Sequence, residues 1–303
     1  MSPKSHSPLD GVDLVLADLD GVIYKGADAI PHAIEGMNLA GETARLGYIT
    51  NNASRTASSV AEHLSSLGLT VGAEDVVTSP QAAVVLLAAE VPAGSTVLIV
   101  GGAGLIEEVE KAGFVPTFSA EDSPAAVIQG FSPEVGWVHL AEATFALHTG
   151  IPWVATNTDW TIPVARGTAP GNGTLVSAVH TAVGRLPIVA GKPEAAIFEV
   201  AVKRFGASTP LFIGDRLDTD ILGSNRAGIE SALVLTGIDQ AKQVLAADAN
   251  SRPRYILGDL RELHEPYPET IETTDAEGTV ATQVGDAIVL RSVDGRASAL
   301  DAT

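Results

Sequence analysis

Residues 12–21 read Val12-Asp13-Leu14-Val15-Leu16-Ala17-Asp18-Leu19-Asp20-Gly21, an almost unbroken apolar run that ends in two aspartates one residue apart and a glycine. A run without polar alternation is the pattern of a strand buried on both faces, as in a parallel sheet. The glycine suits the turn that must follow. Open parallel sheets hold their ligand crevice at the carboxyl ends of the strands, which is where Asp18 and Asp20 are expected. One carboxylate there can act as a nucleophile while its neighbour but one handles protons or a metal. The pattern points to an enzyme.

Outward from this stretch, short apolar strands alternate with helical patterns, the signature of an α/β fold with a doubly wound, mostly parallel sheet. A helix is expected over 30–44, a strand over 47–50 ending in Asn51-Asn52, and a helix over 56–67 stopped by Gly68. A second α/β set begins near Ser79, with strands at 96–100, 125–129 and 153–156 and helices at 105–112, 138–149 and 175–183. From Ile188 the chain is expected to return to the first sheet. There Ile188-Val189-Ala190 leads into Gly191-Lys192-Pro193, with the proline in the first turn of a helix reaching Phe205. A strand at 211–213 ends at Gly214-Asp215, a helix covers 220–227, and strands follow at 232–235 and 255–257. The expected organisation is a flexible N-terminus (1–11), a core domain (12–78 and 191–264) and an inserted α/β domain (79–190). A linker and tail (265–303) follow, with a hairpin over 279–292 around Gly285-Asp286.

Composition narrows the function classes. With 303 residues and 46% hydrophobic content, the chain can bury a sizeable core. A formal charge of −19 argues against nucleic acid as a partner, because phosphates would be repelled. A small anionic substrate stays open, since a metal ion and one or two aimed cations can dominate a pocket in an acidic surface. The absence of cysteine excludes disulfides and a thiolate nucleophile. The first residues are polar and contain Pro3 and Pro8, and no apolar run approaches membrane-spanning length. The expectation is a soluble, cytoplasmic protein without a membrane partner.

Four groups stand at the mouths of the proposed strands: Asp18 with Asp20, Thr50 to Asn52, Lys192, and Asp215 with Asp220. Phosphoryl transfer asks mainly for positioning and charge stabilisation. Asp18 is a competent nucleophile that would form an aspartyl phosphate. A carboxylate and a phosphate repel, so a hard divalent cation such as Mg2+ is expected, with Asp215 as a second carboxylate ligand. Lys192 supplies a positive charge for the phosphate oxygens, and Thr50 with the amides after it can donate hydrogen bonds. Asp20 is left as general acid and base.

This set resembles the haloacid dehalogenase-like phosphatase superfamily. The matching motifs are Asp18-Leu19-Asp20-Gly21-Val22, Thr50-Asn51-Asn52, Gly191-Lys192-Pro193 and Gly214-Asp215-Arg216-Leu217-Asp218-Thr219-Asp220. The resemblance implies a Rossmann-like core in which Asp18 is the nucleophile and Asp20 the acid and base, with its backbone carbonyl on Mg2+. It makes Asp215 a metal ligand, Asp220 an orienter of the metal's shell and Lys192 the phosphate-side cation. The insert is similar to the large α/β cap of the subgroup of nucleotide, phosphoglycolate and pyridoxal phosphate phosphatases. Within it, Asn157-Thr158-Asp159 and Pro170-Gly171-Asn172-Gly173 are similar to that subgroup's cap loops, so Thr50, Asn51, Asn52, Asp159 and Lys192 are expected to bind substrate. Thr50 to Arg55, the Pro170 loop and Arg252-Pro253-Arg254-Tyr255-Ile256 look closest to actinobacterial glycerol-3-phosphate phosphatases. The resemblance implies glycerol 3-phosphate as substrate, 2-phosphoglycolate next, and a homodimer.

Plainer readings stand beside these. Asp218 reads as a carboxylate at a helix N-terminus. Gly101, Gly102 and Gly104 read as a tight strand–helix turn, because the dinucleotide-loop spacing is absent. Trp137, Trp153 and Trp160 read as core packing, with Trp160 also placed to line a pocket. The alternatives to a phosphatase are a phosphotransferase on the same scaffold and a non-catalytic protein that binds a phosphate ligand.

Overall fold

The structure is a computed structural model that describes residues 6–164, 166–268, 270–274, 280–284, 287–291 and 297–299. Packing divides the chain into two compact units. One comprises Met1–Leu46, Thr209–Asn225 and Ile229–Thr303, the other Gly47–Ser208 and Arg226–Gly228.

The quoted stretch forms β1 (Leu14–Ala17), whose four residues are all 0% exposed. A small hairpin, β2 (Tyr24–Lys25) and β3 (Asp28–Ala29), precedes α1 (Ala33–Ala40). This helix is shorter than the expected 30–44. Pro31 lacks a backbone donor and His32 has a left-handed φ of 65°, so helical bonding begins only at Ala33; it stops at Gly41. After β4 (Arg45–Thr50), Thr56 caps α2 (Ala57–Ser66) by accepting the Ser59 N–H.

β5 (Val76–Thr78) leads directly into α3 (Ser79–Glu90). That helix carries Ala82, Ala83, Val84 and Leu87, all buried, and it is apolar nearly all round, so it shows no one-faced period. Then come β6 (Thr96–Val100), α4 (Ala103–Lys111), β7 (Val115–Thr117), β8 (Ala126–Gln129), α5 (Trp137–Leu147) and β9 (Trp153–Ala155). A hairpin, β10 (Thr161–Val164) and β11 (Gly167–Pro170), precedes α6 (Asn172–Val183), which Gly184 ends at φ 75°. β12 (Ile188–Val189) pairs in parallel with β9, so the chain has not yet left the second sheet at Ile188 as expected. Two residues are too short a run to say which sheet they join.

α7 (Ala196–Phe205) starts three residues after Pro193, which lies in the preceding turn with a cis Lys192–Pro193 peptide and not in the first helical turn. β13 (Pro210–Gly214) is followed by one turn of π-helix, Leu217–Ile221, and only then by α8 (Leu222–Arg226), in place of one helix over 220–227. The chain continues with β14 (Glu230–Val234), α9 (Ala241–Ala246) and β15 (Tyr255–Leu257). The last strands are β16 (Thr270–Thr274), β17 (Val280–Val284), β18 (Ala287–Arg291) and β19 (Ala297–Ala299), which form an antiparallel sheet in that order. The expected hairpin is therefore present as β17 and β18, with its turn at 285–286 outside the described residues. The stretch expected as a linker contains β16, where Thr270, Ile271, Thr273 and Thr274 supply β-branched residues that favour a strand.

In the first unit the strand order is β15-β14-β13-β1, all parallel, with the start of β4 on the far side of β1, where the Arg45 N–H donates to the Asp13 carbonyl at 3.0 Å. β4 runs on into the second unit and pairs there with β5. The second unit has its own parallel sheet, ordered β12-β9-β8-β6-β7, with α5 and α6 packed on it through Leu98, Val100, Val127, Trp153 and Ala155. Trp153 belongs to that core, but Trp137 and Trp160 are 78% and 66% exposed, contrary to the expected core packing.

Candidate active site

Asp18 follows β1 directly, and its N–H donates to the Ile213 carbonyl at 2.8 Å. Asp215 follows β13 directly. The two strands are neighbours in register Ala17↔Ile213, so both carboxylates leave the sheet at the same end. From β1 the chain steps one way to β4 and later re-enters the sheet at β13 on the other side. This is the sheet's switch point, where parallel α/β folds hold their ligands.

The π-helical turn brings a third carboxylate to the pair. One oxygen each from Asp18, Asp215 and Asp220 lies within 4.8 Å of the others. Asp215 and Asp220 are 1% and 0% exposed, and Asp18 is half-buried. Asp220 folds back, so that Oδ2 accepts the N–H groups of Asp215 (3.1 Å) and Arg216 (3.2 Å). Turns of π-helix recur at functional sites because they re-aim side chains in this way. Asp218 instead is exposed and takes both arms of Arg216, at 3.0 and 2.8 Å.

Gly21, with a φ of +85°, and Gly237 close over the Asp215 carboxylate, and a Cβ on either would overlap Oδ2. Three clustered carboxylates repel one another unless protonated or joined by a cation. An all-oxygen donor set suits a hard divalent ion and not a thiophilic one. The residues therefore fit a hard-cation site. Asp20 is exposed and its carboxylate stands outside the cluster. A short segment after β14, Thr236 to Asp239, also reaches this site, and sequence reasoning missed it. Its signal was the same as elsewhere: polar residues and a glycine just past the carboxyl end of a buried strand.

In the second unit, Asn51 ties together Asp159 and Lys192. Its Nδ2 donates to Asp159 Oδ1 and to the Lys192 carbonyl, both at 3.0 Å, and its Oδ1 accepts the Lys192 N–H at 2.8 Å. Its carbonyl accepts from Ser79 Oγ and Asn157 Nδ2, both at 2.7 Å. Gly191 is required here, since a Cβ would lie 2.6 Å from Asn51 Oδ1 and from the Thr156 carbonyl. Lys192 is 3% exposed and Thr50 6%. Thr50 Oγ1 accepts the Asn52 N–H at 3.1 Å, and Asn52 Oδ1 holds Ser54 through its N–H and hydroxyl.

The two loops singled out in the insert interlock. Gly173 N–H donates to the Asp159 carbonyl at 2.9 Å and Asn172 Nδ2 to the Asn157 carbonyl at 2.8 Å. A Cβ on Gly171 or Gly173 would overlap the Asp159 or Thr158 carbonyl respectively. Asp159 is thereby fixed from behind.

Two family models match the chain, haloacid dehalogenase-like hydrolase over residues 15–115 and HAD-hydrolase-like over 189–263. Over 253 residues the chain is 47% identical to the D-glycerol 3-phosphate phosphatase of Mycobacterium tuberculosis, covering 84% of this chain and 71% of that protein. The chain belongs to the haloacid dehalogenase-like hydrolase family. An acid sugar phosphatase of Staphylococcus aureus is 34% identical over 252 residues, 82% of this chain and 95% of that one. Among solved structures, the magnesium complex of the glycerol phosphate phosphatase of M. tuberculosis superposes with a TM-score of 0.85 at 42% identity, covering 92% of this chain and 87% of that chain. A p-nitrophenyl phosphatase from Archaeoglobus fulgidus gives 0.76 at 28% identity, over 83% and 98%. The two segments matching the haloacid dehalogenase-like hydrolases contain Asp18 to Asn52 and Lys192 to Asp239. Asp159 lies outside both.

Proposed function

We propose that the protein is a Mg2+-dependent phosphatase that hydrolyses a small phosphomonoester through an aspartyl phosphate on Asp18. The observation that carries this reading is the cluster of Asp18, Asp215 and Asp220 oxygens at the switch point of the first sheet. Asp18 and Asp215 would hold the ion by their carboxylates, Asp20 by its carbonyl, and Asp220 would fix the loop that carries Asp215. Bound there, Mg2+ supplies the positive charge that lets a carboxylate approach a phosphate.

The protein's own groups do the rest. The Asp18 carboxylate forms a bond to phosphorus as the ester P–O bond breaks, and Asp20 gives the leaving alkoxide its proton. Water then attacks the aspartyl phosphate, Asp20 takes the water's proton, and inorganic phosphate leaves with Asp18 restored. Lys192 and the amides after Thr50 serve the phosphate oxygens. Residues 79–190 act as a cap that selects the leaving group, with Asp159 as its contact, and the interlocked loops hold that carboxylate still.

Glycerol 3-phosphate is the favoured substrate, supported by the 47% identity to a D-glycerol 3-phosphate phosphatase, and 2-phosphoglycolate is next. The test is phosphate release from both esters and a set of sugar phosphates, with and without Mg2+, alongside Asp18→Asn. Metal-dependent turnover, highest on glycerol 3-phosphate and abolished in the variant, is expected. Substantial turnover by Asp18→Asn would refute the nucleophile. Transfer of phosphate to an added alcohol in preference to water would make the protein a phosphotransferase.

A further inference from the structure

We propose that Thr236, Gly237 and Asp239 form a clasp that positions Asp215 for the divalent cation; this rests on the metal-dependent reading above. The segment leaves the carboxyl end of β14, the strand beside β13, and makes four hydrogen bonds to three separate points of the site. Thr236 Oγ1 donates to the Gly21 carbonyl at 2.8 Å, tying down the turn that carries Asp20. The Ile238 N–H donates to Asp215 Oδ2 at 2.8 Å. The Asp239 N–H donates to the Asp215 carbonyl at 3.0 Å, and Asp239 Oδ2 accepts the Leu217 N–H at 2.7 Å, at the start of the π-helical turn.

Apolar burial does not account for the segment's place. The Ile238 side chain is 65% exposed, so the loop presents its backbone and its polar groups to the site and its one large apolar group to solvent. Gln240 holds the loop closed by donating from Nε2 to the Leu235 and Gly237 carbonyls, each at 3.1 Å. Gly237 is the tightest point, because a Cβ there would overlap Oδ2 of Asp215 and press on its Cβ and Cγ. The clasp thus fixes one Asp215 oxygen and shuts the space into which the carboxylate could swing. Asp239 itself stands outside the three-carboxylate cluster and acts through the Leu217 N–H, so it is a positioning residue and not a ligand.

Mutation of groups that orient metal ligands typically costs about 10–100-fold in metal affinity. The test is calorimetric titration of the full-length protein with MgCl2 alone, together with Mg2+ activation curves and substrate KM at saturating metal. The variants are Thr236→Val, Thr236→Ser, Asp239→Ala and Gly237→Ala. Thr236→Val keeps the shape and removes the hydroxyl, so it is expected to fold, with circular dichroism as the check. Thr236→Val, Asp239→Ala and Gly237→Ala are expected to weaken Mg2+ binding at least about tenfold, with Thr236→Ser near wild type and substrate KM at saturating metal unchanged. Folded Thr236→Val with wild-type Mg2+ affinity would overturn the clasp, as would Thr236→Ser no better than Thr236→Val. Failure of the wild type itself to bind Mg2+ would overturn the underlying metal reading instead.

Discussion

Asn51 has two amide hydrogens, and both are committed, one to Asp159 and one to the Lys192 carbonyl, while its oxygen holds the Lys192 N–H. The sequence places it beside Thr50 as a substrate-binding group; the geometry supports a different contribution, in which it sets the Lys192 backbone against the Asp159 loop. Asn51→Ala is expected to lower kcat/KM by about 10²-fold, the cost of misplacing groups that must meet a substrate. Its Mg2+ affinity should stay at the wild-type value, because the carboxylate cluster is built from other residues. A parallel loss of metal affinity would show that Asn51 acts on the fold at large.

At the scale of elements, α1 packs against the 3-10 turn Leu260–His264 through a glycine. A Cβ on Gly36 would lie 2.8 Å from the Leu260 carbonyl and 2.9 Å from its Cβ. Gly36→Ala would raise helix propensity by up to about 1 kcal/mol, but the overlap is with backbone and costs about 1–3 kcal/mol. The net expectation is destabilisation, read as a lower urea midpoint with unchanged slope; a higher midpoint would mean that α1 shifts freely.

The same scale shows what the sequence made legible. Asp18, Thr50 and Asp215 were readable because each closes an apolar run that a buried parallel strand requires. The helix α3 was not, since a helix apolar on all sides loses its 3.6-residue period. Nor was β7, whose Pro116 sits on an edge strand where the sheet tolerates it. The motif placed Asp220 at the site, but not the π-helical turn that brings it to Asp18, since no spacing in the sequence announces an i→i+5 bond. The Thr236 clasp shows the same signal, polar residues and a glycine past a buried strand, but each of its hydrogen bonds has a backbone group on one side, and no residue spacing encodes such a pairing.

For the whole molecule, three clustered carboxylates within a chain of net charge −19 make a divalent cation a stabilising ligand. A ligand that binds only the folded state adds about 2.7 kcal/mol at 100 times its Kd. MgCl2 is expected to raise the Tm above the value in NaCl of equal ionic strength, and Asp215→Asn to abolish the difference. An equal rise in the variant would assign the effect to screening alone.

β1 leads directly into Asp18, yet its neighbour β13 arrives about 200 residues later in the chain, a separation that makes pairing slow. At ordinary synthesis rates of about 5–20 residues per second, the nascent strand waits some 10–40 s for that partner. Throughout that interval the edge of its four wholly apolar residues that β13 will cover is open to wrong pairings, and the carboxylate cluster of Asp18, Asp215 and Asp220 is incomplete. On the mechanism proposed above, chemistry therefore waits for the late strand, and the early strand is the place where a chaperone or a pause in translation would have most to protect.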